Sequence, residues 1–431
     1  MQAHDLQRRR RGGASVGGRV RIVTTEDAVE EAWREHWPRL LALLTARFER
    51  VDLAEDALAE AFARAARRWP TDGVPASPVA WLHRVAQREV IDRLRSEVSA
   101  HRAAARIAED LAQRVDPGEP QLEAVADDML RLVFLACHPA LPPHAQTALA
   151  LRWVLGLPTT EIARLFAVAP TAMSARLTRA RQRAAAEPRA FELPTGAALD
   201  DRVEGVLRTA HLLFTSGYAP SEGTEVVRPE VCAEAIRLVA VVDDLLPGRA
   251  DVQALRSLVE LQHARRDARA DAAGDFVLLA EQDRRRWRHD EIARAMERLL
   301  ALGPSAGFAE ELRLQALIAA VHAVALHPDE TDWPLALTFY DRLLALSGED
   351  RVVRLNRAVA VARVHGAAQA LTELGMLDPR DHRTAGALAE LHAEAGNPEL
   401  AAALFTSAAH WCACDPVRRH YQRRAREITT A

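Results

Sequence analysis

The stretch TTEIARLFAVAPTAMSARLTRARQR, Thr159–Arg183, decides how the rest of the chain is read. Thr160 followed by Glu161 is a helix start signal. Ile162, Ala163 and Phe166 then recur at helical spacing, so a first short helix over Thr160–Phe166 has one apolar face. Pro170 suits the first turn of a second helix, where its missing N–H has no intrahelical partner. On that helix Met173 and Leu177 share a face, while Arg176, Arg179, Arg181 and Arg183 leave much of the rest positive. Five arginines stand against one glutamate in the segment. A helix-turn-helix that lays its second helix in a DNA major groove has this pattern. A solvated, Arg-rich helix on an ordinary bundle is the plainer alternative.

The bulk properties narrow the choice. At 431 residues the chain has room for about three domains of ~150 residues, and such cores need no disulfide or metal staple. The net charge is −4, so any nucleic-acid surface rests on charge distribution rather than on the total. No apolar run approaches the ~20 residues of a membrane span. The basic start lacks the apolar stretch of a signal peptide. The expectation is a cytoplasmic protein with no membrane partner. Four cysteines are too few for a disulfide framework. Ala/Leu/Arg/Glu windows broken by Gly or Pro predict an all-α fold.

Along the chain, residues 1–25 read as a disordered basic arm carrying Arg8–Arg11. Residues 26–95 form a first helical unit. Trp33, Trp37, Leu40, Leu41 and Leu44 make its opening apolar stripe. A helix over Asp52–Trp69 follows, with Asp52 as a candidate N-cap and Asp56 and Glu60 on one face. A third helix, Ser77–Arg95, sets Trp81, Leu82, Val85, Ile91 and Leu94 against a polar face with Arg84, Arg88, Arg93 and Arg95. Residues 96–127 form an acidic linker, with seven acids against three arginines. Such a segment is repelled from DNA. Residues 128–190 hold the helix-turn-helix after helices Met129–Cys137 and His144–Val154. From 198 to 431 the chain is a third, helical region.

These segments, in this order, resemble bacterial RNA polymerase sigma factors of the extracytoplasmic-function class. DLAEDALAEAF is similar to the region 2.2 pattern D-x-x-D-x-x-Q-[ED]-x-F, through Asp52 or Glu55, Asp56, Glu60 and Phe62, with Ala59 in place of Gln. WLHRVAQREVIDRLR resembles WLxRIAxNxxIDxxR, with Trp81, Leu82, Arg84, Ala86, Ile91, Asp92 and Arg95 matching and Arg88 where Asn is common. The helix-turn-helix matches at Glu161, Ile162, Ala163, Val168, Arg176, Leu177, Arg179, Ala180 and Arg181. Ala167 replaces the usual turn Gly, and Ser174 a frequent Lys or Arg. The resemblance covers residues 26–186.

It implies recognition, not bond-making: no catalytic residues, no cofactor, no metal. Core RNA polymerase is the implied partner, through its β′ clamp helices and β flap, together with promoter DNA. Asp52, Asp56, Glu60 and Phe62 would bind polymerase. Arg84, Gln87, Arg88 and Arg93 would meet the −10 element; melting also needs stacking surfaces, but Trp81 at helical spacing reads as core. Thr171, Ser174, Arg176, Thr178 and Arg179 would read the −35 element, with Thr171 on a phosphate.

The C-terminal region resembles the tetratricopeptide-like (TPR) extension of one subgroup, through LLFTSGY at 212–218, CAEAIRL at 232–238, LLAEQDRRRW at 278–287 and LNRAVAVA at 355–362. Ala389, Gly396, Ala401, Phe405 and Ala408 fit one repeat well. Stacked helical hairpins with a groove for a protein or peptide partner are expected, modulating activity. Cys137-His138, with His144 nearby, reads as a buried turn because of Pro139, Pro142 and Pro143, and Cys412-x-Cys414 lacks the C-x₂-C spacing of common zinc sites. The charged cluster Glu281, Asp283 and Arg284–Arg286 beside Trp287 is either an ion network or a ligand site. A stand-alone helix-turn-helix regulator with a TPR sensor is the alternative function, but it has no need of Asp52–Phe62 and Trp81–Arg95.

Overall fold

A computed structural model of the chain describes residues 25–100, 122–166, 168–186, 192–348, 350–374 and 377–430. The expected N-terminal arm, most of the acidic linker and the substituted turn residue Ala167 lie outside the described residues. The described chain is all-α apart from a two-residue parallel pairing, described below.

Helices α1 (Thr25–Phe48), α2 (Val51–Asp72) and α3 (Pro78–Ala100) pack on one another as the first unit. On α2 the buried residues Ala54, Leu58, Ala61, Phe62, Ala65 and Trp69 recur every three or four positions, which gives it a single inward stripe. Its start differs from expectation. The helix begins at Val51, so Asp52 is already inside the first turn and its carboxylate takes a two-pronged bond from Arg50 (2.9 and 2.8 Å) rather than capping the backbone.

The second unit comprises α4 (Leu122–Ala136), α5 (Pro143–Leu149), α6 (Thr159–Leu165) and α7 (Pro170–Ala185). The expected helix His144–Val154 instead converts to a π-turn over Ala150–Val154. Its i+5 bond, Leu155 N–H to Ala150 O (3.1 Å), widens the coil. All five residues of the turn are buried, Arg152 and Trp153 among them. The chain leaves the turn at Gly156, whose φ of +70° is left-handed and where a Cβ would lie 3.4 Å from Trp37 Cδ1.

The remainder is a run of helices, most of them packed on a sequence neighbour: α8 (Ala197–Tyr218), α9 (Pro229–Leu245), α10 (Ala250–His263), α11 (His289–Leu300), α12 (Gly307–Val324), α13 (Trp333–Ser347), α14 (Arg351–His365), α15 (Ala367–Leu374), α16 (His382–Glu394), α17 (Pro398–Trp411) and α18 (Asp415–Thr430); α10 and α12 pack chiefly on each other across α11. Ala389, Ala401, Phe405 and Ala408, taken from the sequence as hairpin contacts, are all fully buried between α16, α17 and α18. Strand β1 (Glu222–Gly223) pairs with β2 (Ala413–Cys414), so the end of the region returns to its beginning.

One apolar core runs unbroken from Ala32 to Ala323, through Trp37, Phe134, Trp153 and Phe214. Two smaller clusters serve the last hairpins, around Val361 and Leu343. The first two units and α8–α12 therefore fold around a shared interior. At α8–α9 the helices touch through Gly217: a Cβ there would lie 2.8 Å from Val231 Cβ and 3.0 Å from Arg228 O. Gly217→Ala is expected to cost about 1–3 kcal/mol through overpacking, read as a lower thermal midpoint. Gly205→Ala on the same helix meets open space, and should be neutral or stabilising by up to about 1 kcal/mol.

Candidate promoter and polymerase surfaces

The helix expected to read DNA is α7. Met173, Leu177, Ala180 and Ala184 turn inward at intervals of three or four. That leaves Thr171, Ser174, Thr178 and Arg179 exposed on the opposite side. Arg176 is half-buried, its guanidinium 5.6 Å above the Phe166 ring. This shelf presents the charge at the rim of the helix instead of projecting it freely. Ala169 precedes the helix without a side-chain cap, and Pro170 occupies its first position. The next N–H groups at the N-terminus are thus open to an anion such as phosphate.

On α3 the four expected residues separate. Arg84 and Arg88 are exposed and one turn apart, with Arg84 Nε held on Ala80 O (3.2 Å). Arg93 is engaged by Glu89 (3.3 Å) and Asp56 (3.5 Å). Gln87 is only 7% exposed, and its amide oxygen accepts from Arg47 Nε and Nη1 (3.2 and 3.1 Å). It has no surface to offer a base, so its place in the −10 set is corrected to a core position. Trp81 packs partly buried, edge-on to Trp69.

The α2 set divides too. Burial works to raise the Asp52 carboxyl pKa, but the Arg50 bond and charge outweigh it and hold it below the usual carboxylate value. Glu60 lies on the surface between Arg67 (2.9 Å) and Arg64 (3.3 Å), and those bonds lower its pKa. Asp56 binds Arg181 of α7 (2.5 Å). Phe62 is 3% exposed, with Trp33 4.8 Å and Trp37 6.0 Å away. The expectation that Phe62 contacts polymerase is corrected: it sits one turn after Leu58 on the inward stripe.

Sequence reasoning missed the joint between α2 and the second unit. Glu55 accepts from Arg152 Nε and from Trp153 Nε1, both at 2.8 Å. The Arg152 guanidinium also lies 4.4 Å from the Trp37 ring, and Trp37 Nε1 returns a bond to Arg152 O (3.1 Å). Trp33 Nε1 donates to Gly156 O (2.6 Å). The one available signal was Glu55 itself, within the α2 acidic motif. Its partners lie almost a hundred residues away.

Comparison with known proteins accounts for three parts of the chain. Sigma-70 region 2 matches residues 26–99, and Sigma-70 region 4 matches residues 131–183. A family of unknown function, DUF6596, matches residues 202–302. The chain belongs to the sigma-70 family. It is a sigma factor of the extracytoplasmic-function type with a C-terminal extension. An uncharacterized protein of Rhizobium meliloti (strain 1021) is 38% identical over 361 residues, 81% of this chain and 82% of the relative. No solved structure matches the chain.

In this sigma factor the extension grips region 4 by its carbonyl ends. Arg237 Nη2 donates to Leu155 O (2.6 Å), Arg228 donates to Leu165 O, and Arg202 Nη1 donates to Phe134 O (3.3 Å). Thr209 Oγ1 adds a bond to Gln146 Oε1 (3.0 Å). Regions 2 and 4 are docked on each other through Glu55 and Asp56, which face Arg152, Trp153 and Arg181, and the exposed face of α7 is left open. Glu55→Ala strands the buried Arg152 charge and is expected to cost about 3 kcal/mol, measured by urea unfolding with tryptophan fluorescence. Glu60→Ala, which breaks an exposed and solvent-screened pair, should leave the urea midpoint nearly unchanged.

Proposed function

We propose that this sigma factor binds core RNA polymerase, directs it to promoters carrying −10 and −35 elements, and is held by its extension in a docked form that must open to act. Residues 26–95 serve as the polymerase-binding and melting module, 128–190 as the −35 reader, and 198–431 as the modulating extension. The work is recognition rather than catalysis and takes place in the cytoplasm, where the polymerase is. No described helix is long and apolar enough to cross a membrane.

The observation that carries this reading is the contrast between two surfaces. On α7, Thr171, Ser174, Thr178 and Arg179 are exposed together, with Arg176 at their edge. On α2, the acids in the polymerase-binding motif are engaged within the chain: Asp56 by Arg181 and Glu55 by Arg152. In this form the −35 reader is accessible, while part of the clamp-helix surface is covered. Arg84 and Arg88 supply the cations for the −10 strand, with Arg93 joining them when Asp56 is released. Polymerase β′ clamp helices and region 4 would then compete for one acidic face.

Two variants test the two halves. Arg179→Ala should lower promoter-dependent transcription about tenfold or more, the worth of one base-reading arginine, with unchanged binding to core polymerase in a pull-down. Loss of core binding would mark Arg179 as structural. Arg181→Ala leaves Asp56 with only its longer contact to Arg93 (3.5 Å) and should tighten binding to core polymerase in a titration with labelled protein; weaker binding would sink the docked form as a brake. Point variants suit this question better than truncation near Arg189, because region 4 shares its apolar interior with α8–α12.

A further inference from the structure

The charged cluster beside Trp287 has a tertiary setting of its own. Arg284 is 6% exposed, Arg265 9% and Arg269 8%. Among the described residues no carboxylate stands within 4.0 Å of any of the three. They alternate with aromatic rings. Arg269 lies 3.7 Å from the Tyr218 ring and Arg265 bonds the Tyr218 hydroxyl (2.7 Å). Arg265 and Arg284 then flank Trp287 at 5.8 and 4.8 Å. Cation–π contacts offset only part of the cost of burying a guanidinium.

The row ends at a cavity. Arg284, His322, Thr331 and Tyr340 line one side of a space of about 540 Å³, and Phe405 and Tyr421 line another. Arg284 Nη1 donates to His322 O (2.9 Å) and Ala325 O (2.6 Å), at the carboxyl end of α12, while its Nε has no partner. Two carboxylates border the space, and both are already paired: Glu390 with Arg424 (2.7 Å) and Glu394 with Arg363 (3.0 Å). Glu330, on the turn beyond Arg284, is committed to the N–H groups of Leu326 and His327, and Asp329 beside it acts on Arg284 only through space, one acid against the three buried arginines. Burial, then the charges of Arg265 and Arg284, push the His322 imidazole down to about 4, so it is neutral at pH 7. The unneutralised charge around the cavity is therefore positive, and its remaining surface is largely aromatic and aliphatic.

We infer that the extension contains a binding site for a small organic anion, with an apolar body of one or two rings among Tyr340, Phe405 and Tyr421 and an acidic head on Arg284. The volume falls within the range of ligand pockets, ~300–1,000 Å³. The rim acids, already paired with arginines, leave no free carboxylate for a cation, and the buried guanidinium rewards a carboxylate, sulfonate or phosphate. The site lies away from regions 2 and 4 and does not depend on the promoter-reading role.

The probe is 8-anilinonaphthalene-1-sulfonate, titrated into the full-length protein by calorimetry. N-phenyl-1-naphthylamine, with the same rings and no charge, is the control. The sulfonate should bind one to one, roughly tenfold or more tighter than the neutral amine, and should raise the thermal midpoint. Ala387→Trp fills the cavity while leaving every arginine in the sequence, and should abolish binding while leaving the circular dichroism unchanged; Val359→Phe is the second filling variant, should the first misfold. Arg284→Met should bring the two probes to equal affinity. Equal affinities in the unaltered protein, several equivalent sites, or binding that survives a folded cavity-filling variant would each overturn the site and leave Arg284 as a cap for α12.

Discussion

The carboxylate of Glu55 is the interaction on which the arrangement of this molecule depends. At 13% side-chain exposure an unpaired charge would be costly, and Glu55 is stable there because both oxygens are occupied, by Arg152 and by Trp153. Arg152 is in turn held over Trp37 and by Leu157 O. Each group is satisfied only while α2 and the π-turn keep their relative position. Apolar packing around Trp37, Phe134 and Trp153 supplies most of the driving force, but it is tolerant of small slides. The ion pair and the indole bonds are directional, and they set the register of region 2 on region 4.

The extension reinforces that register by a different route. Arg228 and Arg237 donate to carbonyls just outside and at the end of α6, so the helix-turn-helix is gripped by its backbone and not by its reading side chains. The exposed face of α7 and the attachment to the extension are consequently separable. On the proposed reading, control falls on whether α2 can leave region 4, and the affinity of α7 for DNA is untouched.

The helices of region 2 and the two helices of the reader were legible because their apolar residues recur at three or four positions, a local property of the chain. So was the exposed set Thr171, Ser174, Thr178 and Arg179, which lies opposite Met173 and Leu177 on the same helix. Motif matching went further than the pattern allowed at Phe62 and Gln87. Phe62 stands at a position of the region 2.2 pattern, Gln87 falls in the −10 set between Arg84 and Arg88, and both are buried. Phe62 could have been placed correctly from its spacing to Leu58. Gln87 could not, because the group that covers it, Arg47, comes from a different helix.

The sequence by itself determined the helical class, the order of the modules and the outward face of the reading helix, since each follows from residues within a few turns of one another. Only the tertiary structure decided that Glu55 pairs with Arg152, that Asp56 is taken by Arg181, and that three buried arginines share two aromatic rings beside a cavity. Those outcomes depend on which distant groups remain available once the apolar surfaces have closed. A buried charge must find its partner among them, and no local periodicity encodes that choice. The helix-turn-helix at Thr159–Arg183 is thus written in its own residues, whereas its docking to region 2 is written in the fold.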